Sequence, residues 1–293
     1  MSPAADLSGV ERGNERYRVM HGLETGVAHI LPPPCIMGIL NTTPDSFSDG
    51  GAYASVDAAV AQGLAMIAEG ATWLDIGGES TRPGAAEVAP EIELARVVPV
   101  IEALAGRGAR LSIDTRKSTV AAAALAAGAE LVNDVSGGLF DERILAVTAK
   151  AGALYCAMHM RGTPATMTSE ATYEDPVAEV AEALLQRANA AIEAGIAPER
   201  LILDPGIGFA KKLPHNLAVL KGLGSLASLG FPLIVGLSRK KMILELTGVE
   251  EPKQRLAGSL AGLTAAVLQG AHILRVHDVK PSVEAAAVAA ALR

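Results

Sequence analysis

The stretch LSIDTRKSTVAAAALAAGAELVNDVSGG, residues 111–138, decides the fold. It opens on a short apolar run, LSI, that stops at Asp114 and passes through a helix-period segment from Lys117 to Ala127. It then returns to a second apolar run, ELV, that stops at Asn133. Strand, crossover helix and strand make the repeating unit of a parallel sheet. Outward from this unit the same punctuation recurs: IMGIL before Asn41, TWLDIGG before Glu79, ALYCAM before His159, LIL before Asp204, LIVGL before Ser238 and HIL before Arg275. Helix-period segments at Val56 to Glu69, Pro90 to Leu104, Pro176 to Ala194 and Lys253 to Leu268 supply further crossovers. Strand starts lie roughly 20 to 48 residues apart, as βα units with variable loops require. The pattern predicts a single-domain α/β protein, a (β/α)8 barrel over residues 31–293, with residues 1–30 as an N-terminal extension. All strand ends of such a barrel share one mouth, where side chains distant in sequence converge.

Composition fits a well-buried enzyme. Half the residues are hydrophobic but only 3% are aromatic, so the core is expected to be aliphatic. Two of the four Phe, Phe47 and Phe209, fall instead in polar, glycine-rich loops. The window Ala257 to Leu274 is interrupted by Ser259, Thr264, Gln269 and His272, which argues against a membrane span. The first residues carry Asp6, Glu11 and Glu15 and no apolar signal core. Cys35 and Cys156 read as buried free thiols, so a cytoplasmic location is expected. A net charge of −7 without a basic run excludes nucleic acid as the main partner. Local field is a separate matter: Arg82, Lys211, Lys240, Arg275 and His277 all fall in predicted mouth loops, which implies a cationic mouth on an acidic protein.

Two clusters carry chemistry. Asp114 and Asp204 are carboxylates at strand ends and Asn133 adds an amide, a set that can satisfy a flat heterocycle offering several N–H groups along one edge. The plain alternative is that each caps the next helix, Asp114 being well placed before Thr115. The second cluster is Ser238-Arg239-Lys240-Lys241 after the seventh strand and Arg275-Val-His277-Asp278 after the eighth. Barrel phosphate sites favour those two loops, and the Arg-x-His spacing puts both side chains on one side of an extended segment, ready for a diphosphate. The long polar loop Asn41 to Gly51 ends in paired glycines and reads as a lid. A second loop, Glu79 to Gly84, sets Arg82 among hydroxyls.

These segments resemble the dihydropteroate synthase family, the folate-pathway enzymes targeted by sulfonamides. The resemblance rests on ILNTTPDSFSDGG, DIGGESTRPGA, SIDTRK, LVNDVSGG, MHMRGTP, LDPGIGFAKKLPHN, VGLSRKKMI and RVHDV, in the family's order from about residue 36 to the end. It implies a pterin-binding TIM barrel and a transferase of an alkyl group other than methyl. The pterin ring would be held by Asp114, Asn133, Asp204 and Lys240, with Arg275 stacked over it. The diphosphate would be gripped at Asn41, Arg275 and His277 with Mg²⁺ alongside, Asn41 being the metal contact. 4-Aminobenzoate would be placed by Thr81, Arg82 and Pro83, with Ser238 near its carboxylate and Phe47 and Phe209 about its ring. Asp49, Arg82, Lys240, Arg275 and His277 are thereby the candidate catalytic residues, Asp49 and Arg82 as latches of the two loops. The partners implied are small molecules, dihydropterin diphosphate and 4-aminobenzoate, and the family is usually homodimeric through late helices, for which the small-residue helix Leu256 to Gly270 is a candidate face, barrel packing being an equally good use for it.

The rivals have weaker support. A metal-dependent hydrolase would want more ligands than six His with one Met-His159-Met provide, and His159 reads better as a structural or pocket-wall residue. A Schiff-base aldolase would need a desolvated Lys, for which Lys240 is the candidate. No dinucleotide fingerprint or Walker loop is present. A methyltetrahydrofolate methyltransferase domain would share the acceptors but not need Arg82 or the Arg275-x-His277 pair, and a catalytically silent pterin-binding homologue would not need to keep residues for both substrates. Ala210 stands where the family often has glycine, and Arg161 and Lys241 vary in their loops. No residues are added in the Glu79 to Gly84 loop of the kind drug-insensitive relatives carry, so sulfonamide sensitivity is expected.

Overall fold

The computed structural model describes residues 34–43, 52–81, 84–163 and 165–293. The strands are β1 (Cys35–Asn41), β2 (Trp73–Gly77), β3 (Arg110–Asp114), β4 (Leu131–Asp134), β5 (Leu154–Met158), β6 (Leu201–Asp204), β7 (Ile234–Val235) and β8 (Ile273–Val276). All pair in parallel in the order β6-β5-β4-β3-β2-β1-β8-β7. The open ends meet at a parallel bridge between Leu203 and Leu233, where the Leu203 amide donates to the Pro232 carbonyl at 2.9 Å. The predicted eight-stranded barrel is therefore present and closed. Its seventh strand is far shorter than LIVGL suggests.

The crossovers are α1 (Ala52–Ala68), α2 (Pro90–Leu104), α3 (Ser118–Ala127), α4 (Arg143–Ala151), α5 (Pro176–Glu193), α6 (Leu213–Lys221), α7 (Leu223–Ala227), α8 (Lys241–Thr247), α9 (Leu256–Leu268) and α10 (Val279–Ala291). Helix α2 matches its predicted bounds, and α3 and α5 match within one residue at one end. The predicted Lys253 to Leu268 segment begins as a short 3-10 turn at Pro252–Gln254 before α9 starts.

Two apolar assemblies follow from the alternation of side chains along each strand. Outward residues such as Leu40, Ile76, Ile113, Val132 and Leu203 join the helices in one core. Inward residues Cys35, Met37, Trp73, Leu131, Leu154, Cys156, Ile202, Ile234 and Ile273 fill the barrel. Both cysteines are buried and in no disulfide, as expected. Step two residues along from Trp73, Leu131, Ile202 and Ile273 and the same inward parity yields Asp75, Asn133, Asp204 and Arg275. The barrel interior is thus apolar at one end and polar at the other.

Candidate active site

At the polar end one guanidinium is shared by two carboxylates. Arg275 Nε donates to Asp75 Oδ2 at 2.6 Å and its Nη2 donates to Asp114 Oδ2 at 2.7 Å. These bonds lie in the guanidinium plane and fix its tilt, leaving its flat faces unused by them. Asp75 is fully buried and also accepts from Ser112 Oγ at 2.6 Å and from Asn133 Nδ2 at 3.0 Å. Asn133 spends its amide nitrogen there, which leaves its carbonyl oxygen as the acceptor for a ligand. Asp114 does not cap α3: the N-cap residue is Lys117, without a side-chain cap, and Asp141 reaches the Ser118 amide at 3.0 Å. The capping alternative for Asp114 therefore fails. Glycines at 77 and 236 flank this layer, and a Cβ on Gly77 would lie 3.4 Å from the Asp114 Cβ and one on Gly236 3.6 Å from the Arg275 Cβ, so both side chains pack closely on bare backbone.

Asp204 completes the floor from β6, with Oδ1 accepting from the Gly206 amide at 2.7 Å. Lys240 extends over it from the loop after β7, donates to the Ile207 carbonyl and sits 4.9 Å from the Phe209 ring centre. Beside it, after the neighbouring strands β7 and β8, His277 Nδ1 lies 3.1 Å from Ser238 Oγ, which also accepts from the His277 amide at 3.2 Å. Asn41 and Thr81 stand at or just beyond the ends of β1 and β2. The barrel thus brings together Asn41, Asp114, Asn133, Asp204, Phe209, Ser238, Lys240, Arg275 and His277. Phe47, Asp49, Arg82 and Pro83 lie outside the described residues, as does most of the lid Asn41 to Gly51.

The expected cationic mouth needs correction at Lys211, which is buried under the loop after β6, and the expected Ser-Arg-Lys-Lys cluster is only partly directed to the mouth. Arg239 is turned away in an ion pair with Asp278, its Nε donating to Oδ2 at 3.0 Å. Its backbone is left-handed at φ 61, held by its amide on Ser259 Oγ at 3.0 Å and by Arg255 on its carbonyl at 2.8 Å. Lys241 is mostly solvated beside Glu245. Of the Ser-Arg-Lys-Lys cluster only Ser238 and Lys240 serve the mouth, where Asp75, Asp114 and Asp204 balance the cations.

A second network anchors the Glu79 loop. Glu79 accepts from Arg116 at 2.7 Å and from Lys117, whose Nζ also donates to Glu93 at 2.5 Å. Thr115 Oγ1 gives Glu93 a further bond of 2.7 Å. Two carboxylates and two cations here are nearly fully buried, so the base of the loop carrying Thr81 is pinned to β3 and α2.

Burial tunes these groups. It pushes the Asp114 carboxyl up to about 7; Arg275 opposes this, and Asp75, Glu93 and Asp134 add to it. Burial would pull Arg275 down, but Asp75 and Asp114 overcome it and hold the guanidinium charged. Lys240 is lowered by burial to about 8 against the pull of Asp204, and Asp204 is raised by burial against Lys240. An Asp in the unfolded chain titrates near about 3.9, so folded Asp114 holds a proton that the unfolded chain has lost between about pH 4 and 7. Its raised value therefore favours folding at low pH, and that contribution is lost as pH rises through about 7. Asp114→Asn should remove the dependence: its stability relative to the parent should grow from pH 4.5 to 7.5 in urea titrations. Parallel stability curves would contradict the assignment.

Asp75 and Lys117 with Glu93 are supporting residues that the strand-end reading passed over. Asp75 had a signal, a lone charge at inward parity between Trp73 and Gly77. His159 is 3% exposed with Nδ1 against Lys211 Nζ at 2.8 Å, the structural role expected of it.

The chain matches the family described as pterin binding enzyme over residues 37–277. It is 48% identical over 261 residues to the dihydropteroate synthase of Escherichia coli strain K12, covering 89% of this chain and 92% of that protein. It is similar to the solved dihydropteroate synthase of Xanthomonas albilineans with 4-aminobenzoic acid, with a TM-score of 0.83, 49% identity and 88% and 93% of the two chains covered. A Yersinia pestis dihydropteroate synthase solved as a sulfonamide drug complex gives a TM-score of 0.83 and 47% identity, covering 89% and 94%. A barrel whose mouth sets carboxylates and an amide beside a fixed guanidinium, with likeness of this extent, belongs to the pterin binding enzymes, in their dihydropteroate synthase family.

Proposed function

We propose that the chain condenses 6-hydroxymethyl-7,8-dihydropterin diphosphate with 4-aminobenzoate to give 7,8-dihydropteroate and diphosphate. The observation that carries this reading is the acceptor floor of Asp114, Asn133 and Asp204 beside a guanidinium locked by Asp75 and Asp114. A pterin edge offers N–H groups to such acceptors, and the flat face of Arg275 suits stacking on its ring. Lys240 adds a donor for the ring.

The methylene–oxygen bond breaks with its electron pair leaving on diphosphate, and the electron-rich ring delocalises the cation. Arg275 and His277 stabilise the departing charge from preorganised positions. The amine nitrogen of 4-aminobenzoate then bonds to the methylene carbon and releases a proton to solvent or diphosphate, so no protein nucleophile is required. Thr81, Arg82 and Pro83 place that amine, Ser238 faces its carboxylate, and Phe47 and Phe209 enclose its ring. Closure of the Asn41 to Gly51 and Glu79 to Gly84 loops, latched by Asp49 and Arg82, keeps water from the cation.

Among the described residues no three His, Cys, Asp or Glu side chains are grouped to hold a metal ion. Mg²⁺ carried on the diphosphate, with water and phosphate oxygens as most of its ligands, fits such a mouth, and the hard oxygen of Asn41 would hold it. When bound, it supplies positive charge against the diphosphate. We place the enzyme in the cytoplasm as a homodimer. Among the described residues no helix is long and apolar enough to cross a membrane, and exposed Leu268, Val288 and Leu292 at the ends of α9 and α10 suit a protein contact.

The test is diphosphate release from dihydropterin diphosphate and Mg²⁺, with and without 4-aminobenzoate, while dihydropteroate is followed by mass. Release with matching product only when the amine is present is expected. Pterin binding without product would favour a silent homologue instead. Sulfonamides should compete with 4-aminobenzoate, with inhibition constants not far above its KM; constants far above it would contradict an amine subsite of this shape.

A further inference from the structure

The loop between β6 and α6 carries Phe209, and a buried amine holds it. Lys211 is 8% exposed, and its Nζ donates to the Gly206 carbonyl at 3.1 Å and the Phe209 carbonyl at 3.2 Å, while lying 2.8 Å from His159 Nδ1. An ammonium has three N–H groups, and its neighbours here are two carbonyls and an imidazole nitrogen, which accepts in the tautomer with Nδ1 unprotonated. Among the described residues no carboxylate is hydrogen-bonded to it. The loop would not keep its course unaided: Gly206, Gly208 and Ala210 have positive φ of 66°, 85° and 47°, and a left-handed alanine is a strained choice. Asn216 braces the same loop, accepting from the Gly208 amide at 2.7 Å and donating to the Lys211 carbonyl at 3.1 Å. A Cβ on Gly206 would lie 2.0 Å from the His159 carbonyl oxygen, so the loop packs directly on the end of β5. Lys240 grips the loop from the other side through the Ile207 carbonyl.

We infer that Lys211, docked on His159, is a positioning residue for the aromatic amine subsite: it fixes the Phe209 backbone and with it the wall that the 4-aminobenzoate ring meets. The inference rests on the substrate assignment above. Lys211 does not touch substrate; it acts through Phe209. Its loss should therefore weaken binding of the amine more than that of the pterin, since Asp114 and Asn133 are held by Arg275 and Asp75 and only Asp204 borders this loop.

The measurement is steady-state kinetics of Lys211→Met with each substrate varied in turn. The expected result is a rise of about tenfold or more in KM for 4-aminobenzoate, with kcat and the KM for dihydropterin diphosphate changed less than about threefold. The rise should largely vanish when Lys211→Met is compared with the parent in a Phe209→Ala background, because a residue that acts through Phe209 has nothing left to position. Equal losses for both substrates, an unchanged amine KM, or full additivity with Phe209→Ala would each overturn the inference. Should Lys211→Met not fold, His159→Leu carries the same test by removing one of the three polar partners of Lys211. An inactive parent enzyme would instead sink the substrate assignment.

Discussion

Arg275→Met is expected to lower dihydropteroate formation by about 10²–10³-fold, the usual cost of removing one preorganised donor to developing charge. It should also destabilise the fold by about 3–5 kcal/mol, as breaking a buried pair from one side does. Two carboxylates share this guanidinium, at 2.6 Å and 2.7 Å, and one of them is fully buried. Without Arg275 the two buried carboxylates lose the cation they share. Asp114, already raised to about 7, would rise further and take up a proton, so the stability deficit should shrink between pH 8 and pH 5. Arg275→Lys keeps the charge but not the fork that reaches both oxygens, and should fall between parent and Met variant in both assays. Urea unfolding at the two pH values and product formation at saturating substrates check this. A Met variant with parental stability and a rate within tenfold would remove Arg275 from the centre of the site.

The second large effect concerns residues with no expected substrate contact. Lys117→Met should cost about 3–5 kcal/mol, because Glu93 and Glu79 would keep two buried negative charges against Arg116 alone. Glu79 begins the loop that bears Thr81, so the variant should also raise KM for 4-aminobenzoate more than for the pterin substrate. Adding Glu93→Gln removes the surplus charge and preserves an acceptor for Thr115, whose hydroxyl bonds Glu93 at 2.7 Å. The double variant should recover about 2 kcal/mol, within the range of coupling between residues in one network. Simple addition of the two single effects would show that the charges are not energetically linked.

Both predictions involve partners that were not visible along the chain. Arg275 and Asp114 each stood at a strand end and were singled out, yet their pairing across 161 residues was not. Asp75 was read as part of an apolar run, although its inward parity marked it. The Ser238–His277 contact at 3.1 Å was closer to hand, since both follow the neighbouring strands β7 and β8. Arg239 illustrates the opposite outcome: a cation in an anion-favouring loop, spent on Asp278 because its backbone turns left-handed there.

What the sequence determined by itself is periodic. Apolar runs that end in polar residues, separated by helix-period crossovers, specify strands, their direction and which side chains share a face, because these follow from the local geometry of a pleated strand and a 3.6-residue helix. That was enough for the barrel, its mouth and the placing of Asp114, Asn133 and Asp204 at the strand ends there. Only the tertiary structure decided the pairing: Arg275 to Asp75, Lys117 to Glu93, Lys211 to His159. A buried charge is held by whichever opposite charge or dipole lies within about 3 Å, and that neighbour is set by strand register and barrel closure, which bring together residues as far as 200 positions apart.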